Sequence, residues 1–454
     1  MNSLFGTDGI RGEAGRFPLD SATVKRVGES LAYHLRTLSG RDPLIVIGRD
    51  TRESGPWLES ALTDGAVKGG ARCQSAGVIT TPGVAYLTRR LAADAGVVLS
   101  ASHNPYRDNG IKIFSPSGQK LDDRIETLIE ADISGDTKDV SRAASEAVVA
   151  GSLPHSEEQL RQQYLSFLSH EVGYSLSLQR LHIIVDCANG ASSLVAPLLF
   201  QQLGANVIAI NDKPDGRNIN LNCGSLHIKS LADRVAIEHA DLGIAFDGDA
   251  DRALFIDANG KLVDGDATLW VLANYLQQRK ELSQNIVVAT VMSNIGLELA
   301  LGTRDIRLVR TDVGDKYVLE ELLRLDASLG GEQSGHIILP AISLAGDGMI
   351  TALMLLRATC AEDNSLSNLT EGFTRYPQIL LNVPVREKLP FDEISEVAAA
   401  VHEIENKLNQ NGRLLLRYSG TEPLARIMIE GANQSEIEGY AQSIASVIEK
   451  AIGL

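Results

Sequence analysis

The sequence predicts an α/β protein that closes with a small α+β domain, and three observations carry that prediction. Short apolar runs such as Leu44–Gly48 (LIVIG) lack polar alternation and alternate with longer helical patterns, which suits strands covered on both faces. The C-terminal part changes to a strand, helix, strand, strand, helix order. At 454 residues the chain also exceeds what one core holds, since single cores stop growing near ~250–300 residues.

Taken in order, Leu44–Gly48 reads as a buried strand and Ser54–Gly70 as the helix after it. Gly96–Ala101, Ile111–Phe114, His182–Asp186, Asn206–Ile210, Leu242–Phe246 and Ile286–Met292 are further strands. In the last domain Gln378–Val385, Arg413–Tyr418 and Arg426–Gly431 are strands, with helices over Phe391–Leu408 and Ser435–Ile452. Boundaries are expected in Asp132–Pro154, rich in Ser, Gly, Ala and charge, near Arg252–Gly260, and near Asn364–Tyr376. The expected domains are 1–153, 154–254, 255–370 and 371–454. No repeat of fixed period is visible.

Bulk properties narrow the function. A net charge of −16 and a pI near 5.1 argue against general nucleic-acid or membrane-surface binding, which favours basic patches. A small anionic substrate stays compatible, because a few clustered arginines make one cleft locally positive. The cysteines Cys73, Cys187, Cys223 and Cys360 form no CxxC pair, as expected of reduced thiols in a cytoplasmic protein. MNSLFGTDGIRGE lacks the pattern of a signal peptide, and no apolar run approaches the ~18 residues of a membrane span.

Asp247-Gly248-Asp249-Ala250-Asp251-Arg252 follows the apolar strand LGIAF. Carboxylates at alternate positions past a strand end can converge on one hard cation, and open α/β sheets bind ligands at that end. Their mutual repulsion would be costly without a cation. A calcium EF-hand is excluded, because its sixth position needs glycine and is Arg252, and its twelfth needs glutamate and is Ala258. Three protein oxygens leave coordination open, which suits Mg2+ completed by a phosphate of substrate or enzyme. The bland alternative is a solvated acidic loop.

Ala101-Ser102-His103-Asn104-Pro105 puts Ser102 at a strand end, where an Asn-Pro turn exposes a hydroxyl. A serine hydrolase has little support. His103, its neighbour in extended chain, is expected to point to the opposite face, and Gly331–Gly335 reads GEQSG rather than GxSxG. Ser102 is then either a turn serine or, beside the aspartates, a phosphate carrier that supplies a further metal ligand.

SASHNPYRDNGIK, FDGDADR, GGEQSGH and RYSGTEPLARIM occur in this order, and together they resemble the α-D-phosphohexomutase superfamily from Phe5 to the last strands. The resemblance implies three α/β domains with mixed sheets plus a C-terminal α+β domain like the TATA-box-binding-protein fold. It implies a phosphoserine at Ser102 and one Mg2+ held by Ser102, Asp247, Asp249 and Asp251. By the same resemblance Arg11, Lys112, His336 and Arg252 line the reaction centre. Segment 1–153 would carry the phosphoserine loop, 154–254 the magnesium loop, 255–370 the sugar-recognition loop and 371–454 a phosphate-binding domain.

Within the superfamily, FGTDGIRG, Gln333, Gly420 and LVRTDVGDKYVLEEL (Leu308–Leu322) resemble the glucosamine branch. Leu226 departs from a family threonine, and Ala341, Leu344 and Ala345 depart from an aspartate and two threonines. These departures leave the phosphoserine and metal positions untouched and bear on local contacts, and through them on substrate preference.

The implied activity interconverts glucosamine 6-phosphate and glucosamine 1-phosphate through a bisphosphate that turns around, for UDP-N-acetylglucosamine and cell-wall precursors. Such a cycle needs a fixed site for the phosphate that is not reacting. Arg417, Ser419, Gly420, Thr421 and Arg426 suit it, since arginine grips phosphate bidentately and loop N–H groups complete a cradle. Glu332 and Ser334 suit sugar hydroxyls, and Glu332 also a cationic 2-amino group. Lys112 and His336 are candidates for proton traffic or charge stabilisation.

The expected partner is a phosphosugar, without nucleic acid or membrane, and a homodimer is compatible with the sequence. Three rivals stand beside this reading. One is a glucose or mannose phosphate mutase of the same superfamily, one a phosphatase phosphorylated on Asp247 with Asp249 as acid, and one an inactive sugar-phosphate-binding protein.

Overall fold

The computed structural model of the chain describes residues 4–6, 9–135, 155–361, 364–419 and 422–454. The expected boundary at 153/154 and the loop residues Gly420 and Thr421 lie outside the described residues. The chain divides into two compact units, residues 1–291 with 309–370 and residues 292–308 with 371–454.

The first unit holds three sheets. β1 (Ile10–Glu13), β2 (Leu44–Arg49), β3 (Arg72–Val78), β4 (Ala95–Leu99) and β5 (Asp108–Phe114) form one, in the order β1-β5-β4-β2-β3. β6 (His182–Asp186), β7 (Asn206–Ile210), β8 (Leu242–Phe246), β9 (Ala253–Asp257) and β10 (Leu262–Val263) form the next, in the order β10-β9-β8-β6-β7. β11 (Ile286–Thr290), β12 (Arg307–Thr311), β13 (Gly330–Gly331) and β14 (Ile337–Ile338) follow in the order β12-β11-β13-β14.

One plan underlies all three. β4 lies parallel to β2, β8 to β6 and β13 to β11, and each then returns through an antiparallel neighbour, β5, β9 or β14. The three return turns carry Ser102, the aspartates, and Glu332 to His336. The sequence hides this repeat because it is one of topology, with helices and loops of unequal length.

Helix Ser21–Ser39 starts where Asp20 accepts the N–H groups of Ala22 at 3.1 Å and Thr23 at 3.0 Å, filling donors that the first turn leaves orphaned. Helix Gly55–Lys68 crosses it at Gly28 and Gly65. A Cβ there would lie 2.2 Å from the Leu62 carbonyl or 1.8 Å from that of Lys25, so only glycine permits this approach. Val24, Val27, Leu31, Leu58 and Leu62 then pack over Ile45, Ile47, Val97 and Leu99. Each such burial contributes roughly 1.5–3 kcal/mol.

Two expectations change. The boundary placed at 254/255 falls inside β9, which pairs with both β8 and β10. Asn259 and Gly260 instead form a hairpin turn, in which Asp257 Oδ1 accepts from Asn259 N at 2.9 Å and Lys261 N at 2.8 Å. The helix expected over Phe391–Leu408 breaks into a 3-10 turn, Phe391–Glu393, and a helix, Ser395–Leu408, because Ile394 is extended.

The second unit is one antiparallel sheet, β15 (Gln378–Pro384), β16 (Gly412–Tyr418) and β17 (Leu424–Gly431), in the order β15-β17-β16. Helices Ser395–Leu408 and Gln434–Ile452 share its core through Val397, Ile404, Ile437, Ile444 and Ile448 with Ile427 and Ile429. The segment 292–308 joins this unit through buried Glu430, which accepts from Asn294 Nδ2 at 3.2 Å and Ile295 N at 3.1 Å and pairs with Arg413 at 2.9 Å. Among the described residues no helix is long and apolar enough to cross a membrane.

Candidate active site

The buried strand β8 delivers Asp247 at its carboxyl end, and the turn that follows gathers the other two aspartates. Ala250 takes a left-handed φ of 57°, its N–H donates to the Asp247 carbonyl at 3.1 Å, and its carbonyl accepts from Gly348 N at 3.1 Å. That bend lets alternate side chains point inward together. Asp247, Asp249 and Asp251 are all buried, with carboxylate oxygens within 4.8 Å of one another. At that spacing each charged pair repels by about 3 kcal/mol at an effective dielectric of ~20.

The surrounding groups compensate only in part. Lys112 Nζ lies 3.0 Å from Asp249 Oδ2 and 3.4 Å from Asp251 Oδ2. Thr81 Oγ1 donates to Asp249 Oδ2 at 2.6 Å. Asp249 Oδ1 and Asp251 Oδ1 are buried without a hydrogen-bond partner. Burial, then the charges of Asp251 and Asp249, push the Asp247 carboxyl well above the usual range. Burial pushes Asp251 upward too, but Lys112 and His336 outweigh it and hold that carboxyl well below. Hard oxygen donors, converging and left with open lone pairs, fit a divalent cation.

Ser102 follows β4 and sits against this cluster. Its Oγ donates to Asp247 Oδ2 at 2.5 Å. Its φ of 51° is left-handed, so the chain is not extended there. The expectation that His103 points to the opposite face fails for that reason. His103 Nδ1 comes within 3.5 Å of Ser102 Oγ and accepts from Arg252 Nη1 at 3.2 Å. Arginine only donates, so the ring is neutral with its proton on Nε2. Burial, then Arg252 and Arg11, lower its pKa accordingly.

The third return turn brings in the groups expected to face the sugar. Glu332 N donates to the His336 carbonyl at 2.9 Å and Gly335 N to that of Glu332 at 3.0 Å, closing a tight loop. Ser334 Oγ donates to Glu332 Oε2 at 3.1 Å, and Gln333 anchors the loop on Asp266 at 3.1 Å. His336 lies in ion-pair range of Asp251, 3.7 Å, and Asp315, 3.9 Å. Burial works against its charge, but Asp251, Asp315 and Glu332 raise its pKa to about 9 and hold it protonated. A Cβ at Gly346 would lie 2.2 Å from His336 Nε2, so glycine makes room for the ring.

Arg11, His103, Arg252, Glu332 and His336 line one cavity of about 480 Å³. A second, of about 500 Å³, reaches Lys112, Asp251 and His336 from another side. Leu344 and Ala345 line it, so these departures bear on the local contacts of this cavity. Leu226 is 57% exposed, and Ala341 lines a different cavity.

In the second unit the hairpin of β16 and β17 registers Arg417 opposite Arg426. Buried Ser419 Oγ lies 3.3 Å from Arg426 Nη2 and accepts from Glu422 N at 3.3 Å. Lys388 Nζ reaches the Ser419 carbonyl at 2.6 Å, adding a cation that sequence reasoning missed. Thr81 and Asn220 were missed likewise. Asn220 Nδ2 donates to the carbonyls of Ser102 at 2.8 Å and Asn104 at 3.1 Å. Each is brought in from a distant segment, so none lies in a motif.

The fold and this site define the class of a phosphohexomutase. The four phosphoglucomutase/phosphomannomutase domains match in order: α/β/α domain I at residues 2–140, domain II at 162–260, domain III at 264–376 and the C-terminal domain at 380–447. A phosphoglucosamine mutase of Solibacter usitatus (strain Ellin6076) is 49% identical over 451 residues, covering 99% of both chains. One from Koribacter versatilis (strain Ellin345) is 45% identical over 457 residues, 100% of this chain and 98% of that one. The chain belongs to the phosphoglucosamine mutase family, isomerases of the phosphohexomutase superfamily.

Solved structures share the fold. A phosphoglucomutase/phosphomannomutase family protein of Burkholderia thailandensis aligns over 100% of both chains with a TM-score of 0.80 at 22% identity. The Aspergillus fumigatus N-acetylphosphoglucosamine mutase, solved with GlcNAc-6P and magnesium, aligns over 98% of this chain and 95% of that one, with a TM-score of 0.68 at 19% identity.

Proposed function

We propose that the chain interconverts glucosamine 6-phosphate and glucosamine 1-phosphate through a phosphorylated Ser102 and a bisphosphate intermediate. The observation that carries the reading is the 2.5 Å contact of Ser102 Oγ with Asp247, which sets a phosphate-accepting hydroxyl at the edge of a three-carboxylate cation site. Ser102, Asp247, Asp249 and Asp251 would hold one Mg2+. When bound, that ion would neutralise charge on the transferring phosphoryl group.

In the forward half, the P–O bond to Ser102 breaks and a new P–O bond forms to the free sugar hydroxyl, whose proton leaves to a base. After the bisphosphate turns around, Ser102 Oγ takes back the other phosphoryl group and the sugar oxygen regains a proton. Lys112 and protonated His336 flank Asp251 and suit stabilisation of the charge that moves. His336 suits proton donation rather than abstraction. Arg11 and Arg252 suit the phosphate and sugar oxygens in the adjoining cavity. Arg417, Ser419 and Arg426, with Gly420 and Thr421, would hold the phosphate that is not reacting, and Glu332 would face the 2-ammonium group.

A phosphatase phosphorylated on Asp247 fits less well. That carboxylate is fully buried, with Oδ2 taken by Ser102 and Oδ1 accepting from Arg252 N at 3.3 Å. Among the described residues all four cysteines are free thiols, which supports a reducing, cytoplasmic setting.

The test is turnover of glucosamine 1-phosphate by wild type and Ser102→Ala, with Mg2+ and with chelator. Wild type should convert it only with the ion, and Ser102→Ala should lose at least ~10⁴-fold in kcat. Turnover of the variant at wild-type rate would end the reading.

A further inference from the structure

Ser102 holds a left-handed backbone that a residue with a side chain keeps only when its surroundings impose it. The surroundings here centre on one residue outside the reaction cavity, Arg52. Its side chain is completely buried, and all five of its N–H donors are used. Nη2 donates to the carbonyls of Ser102 at 3.0 Å and Asn104 at 2.8 Å. Nη1 donates to the Asp108 carbonyl at 2.9 Å and to that of Pro105. Nε donates to Asp50 Oδ2 at 2.9 Å.

A second path reaches the other side of the serine. Asp50 Oδ2 accepts from Ser100 Oγ at 2.6 Å, and Ser100 Oγ accepts the Ser102 N–H at 2.9 Å. The pair Asp50 and Arg52 therefore grips Ser102 by both its carbonyl and its amide. Asp50 Oδ1 also accepts Arg52 N at 3.0 Å, which ties the pair to its own loop after β2.

From this geometry we infer that Arg52, backed by Asp50, is the positioning residue that aims the Ser102 hydroxyl at the aspartate cluster and at substrate. It touches neither Asp247 nor the sugar-facing groups, and its charge is balanced by Asp50, so it acts on placement rather than as a net field. A planar five-donor fork is the group that can hold four carbonyls of one turn at once. Lysine offers three donors around a point and cannot reproduce it. The inference rests on the proposed role of Ser102.

Arg52→Lys keeps the charge opposite Asp50 and loses the fork. Misplacing a reacting group by about 1 Å costs on the order of 100-fold, so kcat should fall about 100-fold while KM stays within about threefold. Mg2+ affinity, read by titration calorimetry, should fall only modestly, because the three aspartates keep their places while one of four proposed ligands shifts, and the melting temperature should stay within about 4 °C. A folded Arg52→Lys enzyme with wild-type kcat overturns the inference, and so does a parallel loss of kcat, KM and melting temperature. If Arg52→Lys does not fold, the neutral pair Asp50→Asn/Arg52→Gln is measured the same way, and failure of both to fold reduces Arg52 to a structural residue. Ser102→Ala runs alongside. Full activity in Ser102→Ala sinks the reading of the serine itself, whereas an inactive Ser102→Ala beside a wild-type-like Arg52→Lys sinks only the positioning role.

Discussion

The turn after β4 and the turn after β8 fill the same slot in two copies of one sheet plan, yet they are held by different means. Each contains a left-handed residue with a side chain, Ser102 at φ 51° and Ala250 at φ 57°, a strain of roughly 1–2 kcal/mol apiece. The serine turn is gripped through its carbonyls by neutralised donors, Arg52 and Asn220. The aspartate turn is held through its carbonyls by backbone N–H groups of Ala191, Thr81 and Gly348, and carries three mutually repelling carboxylates. The contacts of one turn are balanced by protein groups, whereas the other leaves Asp249 Oδ1 and Asp251 Oδ1 buried without a hydrogen-bond partner. A shared scaffold position thus presents a firmly placed serine hydroxyl on one side and a cluster of under-compensated carboxylates on the other.

After loss of Ser102 itself, breaking the aspartate turn should have the largest effect. Asp249→Asn removes one carboxylate oxygen donor and a charge, and kcat should fall on the order of 10³-fold, with a matching loss of Mg2+ affinity by calorimetry. In wild type, Mg2+ at a hundred times its Kd should add about 2.7 kcal/mol of stability, and the thermal shift should vanish in Asp249→Asn. A shift of equal size in both proteins would mean that the ion binds elsewhere.

The hairpin of the second unit should give a smaller and different signature. Arg417→Ala should raise KM about 10- to 100-fold while Ser102 remains phosphorylated, because it removes charge-assisted contacts to a phosphate and leaves the transfer site intact. Loss of the serine phosphate in that variant would contradict a role confined to binding. Smaller again, Glu332→Gln should lower the preference for glucosamine over glucose phosphate about 10-fold in kcat/KM, by removing the anion proposed to face the ammonium. An unchanged ratio would move specificity to another residue.

The smallest effect lies off both turns. Burial, then Asp123, raise the Glu126 carboxyl to about 7. A carboxyl raised in the folded state favours folding fully only below its unfolded pKa and loses that contribution as pH rises through about 7. The melting temperature of wild type should therefore slip between about pH 4 and pH 7, and Glu126→Gln should flatten that slope slightly. A steeper slope in the variant would contradict the assignment.

Much of this was legible because it depends on local pattern. The runs HIIVD and LGIAF are buried on both faces, and such strands announce themselves by composition. The alternate aspartates declared a cation site by chemistry alone. β13 and β14 were not legible, since two-residue strands have no period to detect. The boundary expected near Arg252–Gly260 falls instead on a hairpin, whose turn residues Asn259 and Gly260 are of the kind that also make linkers. His103 was misjudged by assuming extended chain at a residue whose φ is positive. Thr81, Asn220 and Lys388 are long-range partners, and nothing beside them in sequence marks them.

The account turns on where phosphate resides. Intact-mass measurement of the purified protein before and after mild phosphatase treatment, followed by peptide mapping, tests it most directly. It predicts one removable phosphate, on Ser102, absent from Ser102→Ala and present in Asp247→Asn. Phosphate mapped to Asp247, or retained in Ser102→Ala, would contradict it.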